Sequence, residues 1–135
     1  MKKILFLLLA VLILVGCQSK PITGQTITAA DGSYQNITST ELKTMLGRKD
    51  FVLVNVHIPF AGNIPGTDVS IPYNEIEQNL DQFPTDKTAQ IVLYCSSGRM
   101  SEIAAEKLVS IGYTDVWNLQ GGMVDWKQIG FELEN

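Results

Sequence analysis

Hydrophobic and polar positions along this chain fall into three regimes. The first is an unbroken apolar run, Ile4 to Val15, behind Met1-Lys2-Lys3. The second, Gln18 to about Ser33, is polar and nearly aperiodic, with Pro21, Gly24 and Gly32. The third, from Tyr34 onward, alternates short apolar runs with apolar residues at helical spacing. Tyr34 to Ile37 predicts a short strand, and Thr38-Ser-Thr-Glu41 fits a capping box opening a helix through Leu42, Met45 and Leu46. Phe51 to Val56 is a β-branched run suited to a parallel strand buried on both faces. Val69 to Ile71 predicts another short strand, Tyr73 to Leu80 a helix facing inward at Ile76 and Leu80, and Ala89 to Tyr94 a buried strand. Ile103, Ala104, Leu108 and Ile111 mark the next helix, and Thr114 to Asn118 the last strand. Strands alternating with helices imply an α/β domain with a central parallel sheet of about five strands, right-handed crossovers and helices on both faces. Trp117 and Trp126 read as core and domain-closing contacts.

The N-terminal apolar run is shorter than the ~20 residues a helix needs to cross a bilayer, and its basic start marks residues 1–16 as a secretory leader. It ends in Leu14-Val15-Gly16-Cys17. That ending resembles the lipobox of bacterial lipoproteins, which implies cleavage before Cys17 and a thioether-linked diacylglycerol, with palmitate-type chains, on its sulfur. The alternative is an ordinary cleaved leader with Cys17 surviving unmodified. Residues 17–33 then read as the lipidated cysteine and a flexible tether, in which only Ile22, Thr26 and Ile27 hint at a strand. Random-coil scaling gives such a tether a root-mean-square span of roughly 20–25 Å. Residues 34–135 form the domain, long enough for one core. The expected location is the cell envelope, on the periplasmic side if the cell has one. Gln18 after the cysteine resembles the outer-membrane sorting pattern.

Charge and cysteine count narrow the chemistry. Losing Lys2 and Lys3 with the leader leaves eight basic against fourteen acidic residues, a net charge of −6, with no basic patch. Nucleic acid is excluded as an expected partner. With Cys17 taken by lipid, Cys95 is the only thiol, so no internal disulfide forms and any sulfur adduct on it must be discharged by another molecule. One histidine, His57, and one thiol make no metal site.

Cys95 opens the run Cys95-Ser96-Ser97-Gly98-Arg99-Met100-Ser101, between an apolar strand and a helix. A turn there lies at the carboxyl end of a sheet strand, beside backbone N–H groups that have no intrahelical partner. Those groups, the helix dipole and the Arg99 guanidinium would favour thiolate over thiol. Gly98 supplies positive φ, Ser96 and Ser97 leave room for a cradle of N–H groups, and Ser101 fits an N-cap. The plain alternatives are a buried apolar cysteine and a solvated Arg99.

Tyr94-Cys95-Ser-Ser-Gly98-Arg99-Met-Ser101 resembles the active-site loop of rhodanese-type sulfurtransferases, and Asn118-Leu-Gln-Gly-Gly-Met-Val-Asp-Trp126-Lys-Gln-Ile-Gly130 is similar to the ending of that domain. The resemblance implies a rhodanese-like fold, catalysis by Cys95 through a persulfide, and substrate binding by Ser96, Ser97, Gly98, Arg99, Met100 and Ser101. It implies a small sulfur-containing anion as donor, thiosulfate or polysulfide, and cyanide, a small thiol or a thiol protein as acceptor. No dissociable cofactor is required, and a monomer is expected.

Val54-Asn-Val-His-Ile-Pro-Phe-Ala-Gly-Asn-Ile-Pro-Gly66 shares the frame of another family segment. Asn55, His57 and Asn63 stand where the family places Asp, Arg and His, a change expected to alter loop order or substrate access. Met100 stands where many members carry a second basic or hydroxyl residue. Two other readings follow: a catalytically idle rhodanese-like module that binds a partner or senses sulfide, and a phosphatase or arsenate reductase on a related cradle. Against the last, the residue six after Cys95 is Ser101, where those enzymes carry Arg. His57 follows a strand end as Cys95 does, yet reads as a loop residue without catalytic duty.

Overall fold

The computed structural model describes Gly16 and residues 20–135. The leader and lipidation at Cys17 therefore lie outside the described residues, Gly16 apart.

Six strands form one sheet in the order β1-β2-β6-β5-β3-β4. They are β1 (Gln25–Ala29), β2 (Gly32–Ile37), β3 (Val52–Asn55), β4 (Val69–Ser70), β5 (Ile91–Tyr94) and β6 (Val116–Leu119), with helices α1 (Ser39–Leu46), α2 (Arg99–Ser110) and α3 (Gly122–Gln128). All neighbours pair in parallel except β1, which lies antiparallel on β2. The apolar runs behave as short strands covered on both sides. Val54, Ile91, Leu93 and Cys95 face one core with α2, while Leu53, Val92, Tyr94 and Leu119 face a second core that includes Leu42 of α1 and Trp126 of α3. Helices thus cover both faces of a mostly parallel α/β sheet.

Three expectations are corrected. The first is the tether over residues 17–33: Gln25 onward is strand, closed by the two-residue loop Ala30-Asp31. Its Thr-rich sequence hides the strand because β1 is an edge that buries only part of one face, with Ile27 packed on the core. The second is the helix over Tyr73 to Leu80, which is instead a 3-10 segment, Glu77–Gln82, interrupted at Asn79. The Asn79 side chain donates to the Glu75 carbonyl and accepts from Gln82 Nε2, so it competes with the helical ladder. The third is the inward face of α2, which is Ser101, Ala104, Ala105, Leu108 and Val109, leaving Ile103 half-buried.

The capping box forms as expected: Thr38 N–H donates to Glu41 Oε2 at 2.8 Å and Glu41 N–H donates to Thr38 Oγ1 at 3.2 Å. Trp126 is fully buried, packs its ring at a 54° tilt 4.7 Å from the Phe131 ring and donates from Nε1 to the Glu132 carbonyl, closing the domain. No helix among the described residues is long and apolar enough to cross a membrane.

Candidate active site

Cys95 directly follows β5, so its place is set by the central strand of the sheet. Its side chain points under the first turn of α2 and is 1% exposed. The Gly98 N–H donates to Cys95 Sγ at 3.0 Å. Gly98 adopts φ 105°, a left-handed conformation that favours glycine, and that conformation turns its amide back toward the sulfur.

Ser101 is not the N-cap. Gly98 occupies that position, and Ser101 sits one turn inside α2 with its hydroxyl 3.0 Å from the Gly98 carbonyl and 3.5 Å from Cys95 Sγ. A hydroxyl carries one proton. It donates to Gly98 O while a thiol S–H donates to Ser101 Oγ, or it turns to a charged sulfur that only accepts.

A second element holds the loop from below. Met123 N–H donates to Cys95 O and Val124 N–H donates to Ser96 O, each at 2.9 Å. The first free amides of α3 therefore satisfy the carbonyls of the loop, and those carbonyls are committed away from the sulfur. This close approach requires glycine at 122, where φ is 56° and a Cβ would overlap the Cys95 and Ser96 carbonyl oxygens. Gly121 and Gly122 were missing from the sequence-derived site residues, although the Gly-Gly pair was visible beside the last strand.

Arg99 begins α2, but its guanidinium is 77% exposed and lies 3.7 Å from Glu102 Oε2. Met100 packs on the core beside Cys95, leaving its backbone, not its side chain, at the loop. Ser97 and Gly98 form one wall of a cavity of about 590 Å³, whose opposite walls are Thr38 and Ser39 of the α1 entrance and Asp125 of α3.

The segment after β3 is ordered around neutral groups. Buried Asn55 donates from Nδ2 to Gly62 O at 3.0 Å and Asn63 Oδ1 at 2.9 Å, and its Oδ1 accepts from His57 N–H at 3.0 Å. Tyr94 accepts from Ile64 N–H at 3.0 Å and lies 2.7 Å from Thr67 Oγ1. The Thr67 hydroxyl donates to Ile64 O at 2.6 Å, and the Tyr94 hydroxyl donates to Asn63 Oδ1 at 3.2 Å. Burial pushes the Tyr94 phenol above its ordinary range, with the hydrogen bonds it shares with Thr67 and Ile64 pulling it part of the way back. His57 Nδ1 is buried without a hydrogen-bond partner among the described residues. No three His, Cys, Asp or Glu side chains among the described residues gather as a metal site.

Comparison with known proteins identifies the family. Residues 38–129 match the Rhodanese-like domain family. The chain belongs to the rhodanese-like family. Among relatives of this rhodanese-like chain is a protein named thiosulfate sulfurtransferase GlpE from Pseudoalteromonas translucida, 28% identical over 102 residues, covering 70% of this chain and 90% of the relative. A sulfurtransferase of Allochromatium vinosum is 32% identical over 88 residues, covering 63% and 79%. The crystal structure of a rhodanese-like domain protein from Staphylococcus aureus superposes with a TM-score of 0.62 at 32% identity, over 74% of this chain and 98% of that one. Residues 1–18 match a prokaryotic membrane lipoprotein lipid attachment site, so the rhodanese-like domain is carried by a bacterial lipoprotein.

Proposed function

We propose that this protein is an envelope sulfurtransferase that carries sulfane sulfur on Cys95, taking it from thiosulfate or polysulfide and giving it to a thiol, or to cyanide in a test tube. The observation that carries the reading is the Gly98 N–H donated to Cys95 Sγ at 3.0 Å, at the carboxyl end of β5 and the start of α2. A donor aimed at sulfur stabilises negative charge there, first on the thiolate and then on a persulfide. The relative named as a thiosulfate sulfurtransferase supports the choice of donor.

In the first half-reaction the Cys95 thiolate attacks the outer sulfur of thiosulfate. A sulfur–sulfur bond to Cys95 forms, the bond to the sulfite sulfur breaks, and sulfite leaves with the electron pair. The terminal persulfide sulfur keeps its negative charge within the amides of Ser96, Ser97, Gly98, Arg99 and Met100, with Ser101 beside it. In the second half-reaction a thiolate or cyanide attacks that terminal sulfur, departs as a persulfide or thiocyanate, and regenerates the Cys95 thiolate. Atoms and charge balance with no dissociable cofactor, and the two steps give ping-pong kinetics. Arg99 acts as a mobile guanidinium that meets the incoming anion. The protein is attached through acyl chains on Cys17, works as a monomer and uses no nucleic acid.

One further reading has its own support. The 1% exposure of Cys95 and the solvent-directed Arg99 fit a rhodanese-like module that binds a partner or senses sulfide without turnover. Intact mass of the mature protein before and after thiosulfate or polysulfide, with Cys95→Ser alongside, separates the two. A gain of one sulfur atom, removed by cyanide and absent in the variant, supports the enzyme; a reduced, folded protein that gains nothing from either donor is the module.

A further inference from the structure

The chain entering the domain is fastened first at one end of the sheet, by Lys20 to Ile22, and then part-way along β2, at Gly24. Ile22 packs on the core, and Gly24 lies so close to the Asn36 carbonyl and the Trp117 ring that a Cβ would sit 3.0 and 3.3 Å from them. Lys20, Pro21 and Ile22 share a groove with Arg48, Phe51 and Gln90. Phe51 and Gln90 immediately precede β3 and β5, so this groove is at the end where the parallel strands begin. Cys95 is at the other end, where β5 finishes. Five strand steps separate Gln90 from Cys95, a rise of about 17 Å.

We infer that the groove end of the sheet rests on the bilayer that holds the lipid, and that the Cys95 loop faces away from it into water. The inference rests on the attachment at Cys17 proposed above. From Cys17 to Ile22 the chain has five steps, at most about 18 Å when fully extended. A domain of this size has a radius of gyration of about 13 Å and is about 30–35 Å across. To lay the loop on the bilayer, the leash would have to run back along the whole of β5 and past the loop above it. β5 alone takes up about 17 Å of the ~18 Å taut leash, which leaves almost nothing to carry the chain past the loop. With the groove end down, the same leash reaches the surface without strain.

The charges at the two ends agree. Lys20 and Arg48 are exposed at the groove, with Asp50 beside them, and suit the phosphates of an anionic headgroup layer. At the far end the cavity beside the loop is lined by Glu102 and Asp125. Sulfur donors and acceptors therefore approach Cys95 from the aqueous phase, and a carrier dissolved in the hydrocarbon core does not reach it.

The test uses the mature lipidated protein in vesicles of phosphatidylethanolamine and phosphatidylglycerol, with photoreactive benzoylphenylalanine replacing Arg48 at the groove end. Phe60 and Val124, exposed near the loop end, are replaced in separate samples. Lipid adducts several-fold more abundant at position 48 than at 60 or 124 are expected. A flexible insertion of about twenty Gly and Ser residues between Ser19 and Lys20 should bring the three positions toward equality. Intact mass of the same samples reads the anchor. A lipidated chain with equal adducts at all three positions, or with more at 124, overturns the orientation alone. A chain without diacylglycerol overturns the anchor and the orientation with it.

Discussion

Gly122 lies directly under the carbonyl of Cys95, and the next amide along, that of Met123, donates to that carbonyl at 2.9 Å. The shape of the sulfur-bearing loop thus depends on a glycine 27 positions away in the chain. Gly122→Ala should cost roughly 1–2 kcal/mol for the left-handed backbone alone, and more for the overlap with Cys95 O and Ser96 O. A lowered urea midpoint with unchanged m-value, together with loss of persulfide formation, is the expected outcome; a variant with wild-type sulfur loading would show that the loop is shaped without this contact.

Arg99 offers the opposite case. Its exposed guanidinium pairs at 3.7 Å with Glu102, an i,i+3 pair on the helix surface worth little in water. Arg99→Ala should leave thermal stability within about 0.5 kcal/mol of wild type. If the guanidinium meets the donor anion, KM for thiosulfate rises several-fold and the effect fades with added salt, while the rate with cyanide after loading stays unchanged. Steady-state kinetics at two ionic strengths read both.

Tyr94 sets a limit at high pH. Its folded phenol titrates above the ordinary value of 10.0, chiefly through burial. A raised value means that the folded state holds the proton more tightly than the unfolded chain. The stabilisation is therefore fully present below the ordinary phenol range and is lost as pH rises through the folded one. Tyr34, also raised by burial and by Glu102, adds to the same loss. Tyr94→Phe should cost about 1–3 kcal/mol at neutral pH, because Ile64 N–H loses its acceptor, and should flatten part of the decline above pH ~10. Urea titrations at neutral and alkaline pH check both effects.

Asn55 is a buried donor as much as an acceptor. Asn55→Asp keeps the size but turns the two donated hydrogen bonds, to Gly62 O and Asn63 Oδ1, into contacts between acceptors. A loss of about 3–5 kcal/mol at neutral pH is expected, easing as the pH falls and the carboxyl is protonated. Stability measured against pH tests this; a variant as stable as wild type would mean that the Asn55 amide is not the support of the segment 55–63.

Much of this was legible in the chain. Val54 and Leu93 belong to short β-branched or apolar runs, the pattern of a strand buried on both faces. Thr38 and Glu41 mark a helix start by direct chemistry. β1 was hidden because Thr26 and Thr28 point outward from an edge, where polarity reads like a linker. The loop was legible as Cys95, Gly98 and Ser101 in one short stretch, but the hydroxyl of Ser101 went to Gly98 O and Cys95 Sγ because Gly98 had already taken the cap. Gly122 was unreadable as a site residue, since what makes it one is a contact from the far side of the sheet. Asn55 was legible as a departure from the family pattern, and only the three-dimensional arrangement shows that the replacement is a neutral knot with Asn63.

The pairing of β2 with β6 has a consequence for when the sheet can close. Asn36 and Asn118, joined at 2.9 Å, are 82 positions apart, and β2 has no other parallel neighbour in the sheet. The hairpin β1–β2 therefore has nowhere to dock until β6 exists, and α1 has no completed sheet to cover in the meantime. Strand order makes closure a late event, and the sulfur-bearing loop takes its final shape only once α3 is in place beneath it.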